Sequence, residues 1–121
     1  MNFYKIILLL FLILIIDGIW LYFLLSKHFL SMVRSIQQAN TKVKLYAAII
    51  AYIFIFLQIK LFLIDKNSSL FESFLLGLTT YGIFDFTNLA IFNKYNITIA
   101  LTDTLWGGIL YAFVVYIYRM I

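Results

Sequence analysis

The sequence predicts an all-α, four-helix transmembrane bundle, a single integral membrane domain over residues 1–121. Three observations carry that reading. Hydrophobic residues make up 65% of the chain and charged residues 12%, where a soluble domain would hold about 45–50% and about 25%. Four apolar runs, residues 6–25, 45–64, 70–92 and 97–118, each approach the roughly 20 residues that a bilayer core requires. Proline is absent, so nothing in the sequence forces a break within a run.

Composition also excludes functions. Without cysteine there are no disulfides, thiolate nucleophiles or cysteine metal sites, and the one histidine, His28, cannot build a histidine cluster. No metal ligand set and no cofactor motif can be assigned. The net charge of +4 comes from basic residues flanking the apolar runs. That is the membrane pattern, so the expected partner is the lipid bilayer and not nucleic acid.

The first run begins like a signal-peptide core. It continues past Asp17 to Leu25, however, and no small-residue cleavage pattern follows. Residues 26–44 carry Lys27, His28, Arg34, Lys42 and Lys44 and no acid; Phe29, Met32, Val33 and Ile36 recur at helical spacing. This predicts a short basic amphipathic helix on the membrane surface.

The second run holds Ala47 and Ala51, a small pair one turn apart that permits close helix approach. Lys60, near its far end, is expected to snorkel to the interface. Ser69 and Glu72 read as a capping box that starts the third run, and Ser73 and Gly77 form a second close-packing pair. A short turn at residues 93–96 makes the third and fourth helices antiparallel neighbours. Gly107, Gly108 and Ala112 give the fourth a smooth patch before Arg119 ends it. Four spans put both termini on one side. The excess of Lys and Arg in the long loop places that loop in the cytoplasm.

The polar residues inside the runs are the candidate site. Tyr81, Asp85 and Asn88 share one face of the third helix, while Thr87 points away. Asp17 and Trp20 share a face of the first helix, and Asp103 and Trp106 a face of the fourth. The three aspartates lie about eight, seven and six residues from the loop-side ends of their helices, roughly 9–12 Å at about 1.5 Å per residue. They are therefore expected to meet in the half of the bundle nearer the basic loop, since lipid offers them no partner. Three carboxylates in low dielectric cannot all ionise alone. At least one carries a proton, or a cation or cationic group sits among them. The two tryptophans would wall that site or offer a face to a cation.

These motifs resemble a family of small membrane proteins catalogued as domain of unknown function 2177. Asp17 and Trp20 match its first-helix Asp-x-x-Trp. Tyr81, Gly82, Asp85, Thr87, Asn88, Leu89 and Ala90 match its third-helix motif, and Asp103, Trp106 and Gly107 match its Asp-x-x-Trp-Gly. Phe84 stands where the family has Tyr. The resemblance implies a four-helix integral membrane protein and no particular activity.

Three functions fit the residues. The favoured one is binding or transport of a proton, a cation or a small cationic molecule at the aspartate cluster. For transport, a homodimer would be needed to enclose a pathway. The second is a membrane-embedded enzyme acting on a lipid or isoprenoid, with aspartates as general acid and base. The third is a structural or accessory subunit, with the polar residues serving as interhelical glue. Transport calls for a continuous polar path, an enzyme for a one-sided cavity with the acids at its floor, and a subunit for a dry core.

Overall fold

The computed structural model describes residues 2–24, 27–39 and 42–121. The chain forms α1 (Phe3–Leu24), α2 (Lys27–Gln37), α3 (Leu45–Gln58), α4 (Leu70–Ile91) and α5 (Ile97–Met120), with no strand among the described residues. Four helical stretches are long and apolar enough to cross a membrane: Phe3–Phe23, Leu45–Ile64, Leu70–Ile91 and Ile97–Met120. The first begins three residues earlier than the apolar run indicated, and its expected end at Leu25 lies outside the described residues. The last continues two residues further, to Met120.

The second span contains a feature with no sequence signal. Beyond Gln58 it continues as a π-helical segment, Ile59–Ile64, which buries Ile59 and Leu63. The wider turn ends at the α3–α4 connection, where Arg119 donates to the carbonyls of Ser68 (2.5 Å) and Leu63 (3.4 Å). Arg119 thus ties the end of α5 to the α3–α4 connection, sharing the Leu63 carbonyl with the Ser68 N–H.

Local rules explain the other helix ends. Ser69 caps α4 in a full capping box: Glu72 N–H donates to Ser69 Oγ, and Ser69 N–H donates to Glu72 Oε1. Asn96 caps α5 by accepting from Thr98 N–H and Ile99 N–H. Lys60 pairs with Asp65 at 2.8 Å near the interface. Both partners are partly exposed, so Lys60→Met is expected to change thermal stability by less than about 1 kcal/mol and to leave any ligand binding intact. A binding loss in that variant would move the functional site away from the aspartates.

The tightest packing is between α4 and α5. Ser73 and Gly77 are buried as the sequence indicates, and Gly77 lies against the Gly107 backbone and the Tyr111 ring. Ala47 and Ala51 behave differently. Both are exposed, so this small pair makes no close helix approach within the chain.

The core occupies the half of the bundle near the termini. Leu9 and Ile13 of α1 pack there with Ile59, Leu63, Leu110, Tyr111, Val114 and Val115. At the other end, α2 turns its apolar face onto protein. Met32 is buried with Tyr95 and Ala100, and Phe29 and Ile36 pack beside them. The amphipathic helix expected on the membrane surface is therefore also a cover over the α4–α5 turn. In sealed vesicles, single cysteines replacing Asn67 and Lys94 are expected to label from opposite sides; labelling of both from one side would refute the topology.

Candidate functional site

Asp17, Asp85 and Asp103 are all buried, at 4%, 1% and 7% exposure. All face the interior of the bundle, toward which helix periodicity directs them. Their partners are arranged crosswise. Trp106 Nε1–H of α5 donates to Asp17 Oδ1 of α1 at 3.0 Å, and Trp20 Nε1–H of α1 donates to Asp103 Oδ1 of α5 at 3.1 Å. The two indoles stack face to face, with centroids 5.0 Å apart and planes 11° from parallel.

The crossing follows from the sequence pattern. A tryptophan three residues beyond an aspartate sits about one turn away on the same face. When two such helices run antiparallel, each tryptophan arrives at the depth of the other helix's aspartate. An indole N–H can only donate, so each of these carboxyl oxygens is an acceptor.

Two further phenols complete the arrangement. Tyr52 of α3 donates to Asp17 Oδ2 at 2.5 Å. Tyr95, in the α4–α5 turn, donates to Asp85 Oδ1 at 2.9 Å. Burial, and then its bond to Asp85, raise the Tyr95 phenol well above its ordinary range, so it stays a donor at any physiological pH. Sequence reasoning missed both. Tyr52 lies within an apolar run and Tyr95 within a polar turn, and neither shares a helix face with an acid.

The second oxygen of Asp85 is unsatisfied. Asp85 Oδ2 and Thr104 Oγ1 are buried with no hydrogen-bond partner at normal length, although the Asp103 carboxyl and the Thr104 hydroxyl lie close enough to interact with Asp85. Asp85 and Asp103 thus form a carboxyl pair. Asp17 is not a member of that pair, though it feels the charge of Asp103. Among the described residues no three His, Cys, Asp or Glu side chains converge as metal ligands. The acids form a pair and a neighbour, not a three-carboxylate cage.

The remaining expected residues divide. Tyr81 packs its ring on Gly107, meets Tyr111 edge to face at 6.3 Å, and lies within the electrostatic reach of Asp17 and Asp103. Asn88 lies within hydrogen-bonding reach of Tyr95 and belongs to the loop-side end, away from Asp17. Thr87 is exposed, facing away from the site. A separate polar network links the second, third and fourth spans: Gln58 donates to Thr80 at 3.1 Å, and Tyr111 donates to Gln58 Oε1.

A cleft of about 520 Å³ lies between α1, α3 and α4. Asp17 and Asp103 are its acidic groups. Its walls are largely apolar and include Trp20, Phe29, Tyr52, Tyr81 and Phe84.

An all-α bundle of four membrane-length helices, with ionisable groups paired in its interior, defines a polytopic integral membrane protein. The chain belongs to the family described as predicted membrane protein, domain of unknown function 2177, whose match covers residues 2–118. No curated protein and no solved structure matches it.

Proposed function

We propose that the chain binds, from within the membrane, the cationic group of a small amphiphilic molecule, with Asp17 and Asp103 as counter-charges. The observation that supports this reading is the cleft that Asp17 and Asp103 both line. Each acid accepts an indole N–H, a contact that a carboxylate makes without giving up its charge. Two such carboxylates in low dielectric call for a cation. The aromatic walls suit an alkyl or aryl body, and their faces suit a cation.

The apolar terminal half of the bundle stands against transport by a single chain. A translocation route would need that half to open, and a second copy to enclose it. With the long basic loop on the cytoplasmic side, the cleft faces the cytoplasmic leaflet.

One observation favours a second reading, a membrane-embedded enzyme acting on a lipid or isoprenoid. The Asp85–Asp103 pair, with an unsatisfied Asp85 oxygen, can hold one proton between two carboxyls. That offers an acid beside a base.

The test uses the chain's own reporters, since both of its tryptophans stack at the site. Purified protein in detergent is titrated with decyltrimethylammonium, with decanol as neutral control. The expected result is a saturable change in tryptophan fluorescence with the cation alone. An equal response to decanol, or none to either, would overturn the proposal. Chemical turnover of an added lipid, abolished by Asp85→Asn, would establish the enzyme reading instead.

A further inference from the structure

A second cavity lies on the loop side, where α2 passes the α4–α5 turn and the start of α5. It is a crevice of about 660 Å³. We infer that this crevice binds a phosphate group, presented there by an anionic phospholipid.

Helix geometry builds it. His28, Ser31 and Ser35 recur at spacings of three and four on one face of α2. Thr98 and Thr102 recur at four on α5, and Lys94 comes from the turn between them. All six line the crevice, and no carboxylate does. An ammonium, an imidazole and the hydroxyls of Ser31, Ser35 and Thr98 form a donor-rich set suited to phosphate oxygens, while Thr102 spends its own proton on the Thr98 carbonyl. Lys94 has no carboxylate to neutralise it, since the one ion pair among the described residues is Lys60–Asp65. The first N–H groups of α5 are already taken by Asn96, so recognition falls to side chains.

Depth and surroundings favour a lipid as the source of the phosphate. The crevice sits at the end of the membrane spans, beside a basic amphipathic helix, where headgroups lie. Its other flank is apolar, with Phe23, Phe29 and Ile99 ready to meet the first carbons of an acyl chain. Trp20 lines both this crevice and the acid-lined cleft. The inference does not depend on the cation reading, because it uses different charged groups.

Three probes separate the outcomes: dihexanoyl phosphatidylglycerol, dihexanoyl phosphatidylcholine and inorganic phosphate, each titrated into purified protein and followed by tryptophan fluorescence. Phosphatidylglycerol is expected to bind saturably and more tightly than phosphatidylcholine. Lys94→Gln should weaken it about fivefold, the effect of about one lysine near an anionic headgroup. Ser31→Ala with Ser35→Ala should weaken it further. Lys66→Gln, at the opposite end of the bundle, should not matter.

Inorganic phosphate that binds alone, with the same Lys94 dependence, would keep the phosphate site and make the free ion its ligand. Equal binding of the two lipids, or binding indifferent to both Lys94→Gln and the serine variant, would overturn the inference. Asp17→Asn should weaken the ammonium response at least tenfold and preserve this one, so failure of either proposal is visible separately.

Discussion

Replacing Gly77 by Ala is expected to destabilise the bundle more than any other single methyl group added to it. A Cβ at that position would run into the Gly107 carbonyl and within 2.7 Å of the Tyr111 ring. The carbonyl is backbone and cannot turn aside, so α4 and α5 would have to separate along their crossing. Overpacking of this kind costs about 3 kcal/mol or more where relief requires helix movement. Thermal unfolding in detergent measures it.

Gly18→Ala is the control. A Cβ there meets nothing within 4 Å, so the change should be neutral or should stabilise by up to about 1 kcal/mol through helix propensity. Equal effects at the two glycines would mean that α4 and α5 do not cross at Gly77 and Gly107.

Asp17→Asn should leave the fold intact and weaken binding. The amide oxygen can still accept from Trp106, and its NH2 group faces Tyr52, whose hydroxyl can turn to accept. What disappears is the charge. A charge-assisted contact contributes about 1.5–3 kcal/mol, so affinity for a cationic amphiphile should fall roughly 10- to 100-fold. If the aspartates are only interhelical glue, the same variant should be as stable as the parent or more so, because a neutral amide escapes the desolvation cost. No ligand response would then exist to be lost. Stability and binding measured on the same preparation separate the two accounts.

Much of this was legible in the sequence because membrane helices leave few choices. The apolar runs located the four spans to within a few residues. Simple rise per residue placed Asp17, Asp85 and Asp103 at one depth, and all three are buried. Ser69 and Glu72 announced the start of α4 because a capping box is a local device.

What escaped was long-range. The crosswise pairing of indoles and carboxylates was implicit in two Asp-x-x-Trp motifs on antiparallel helices. Reading each motif within its own helix hid it. Tyr52 and Tyr95 reach their acids from other elements, and a single sequence gives no sign of which of its nine tyrosines will do so. The π-helical segment at Ile59–Ile64 has neither proline nor glycine to mark it. Gln58 carries no local sign of its role, because its partners Thr80 and Tyr111 lie on other spans. Ala47 and Ala51 show the converse: small residues at helical spacing permit close approach without requiring it.

The central claim is that the two Asp-x-x-Trp motifs form one crosswise unit whose free face holds a cation. The proton–nitrogen spectrum of the two indole N–H groups tests it most directly. Asp103→Asn should shift the Trp20 resonance and Asp17→Asn the Trp106 resonance, each more than its neighbour on the same helix. Adding decyltrimethylammonium to the parent protein should move both. Indoles that respond only to the aspartate of their own helix, or that stay unmoved by the cation at saturating concentration, would contradict it.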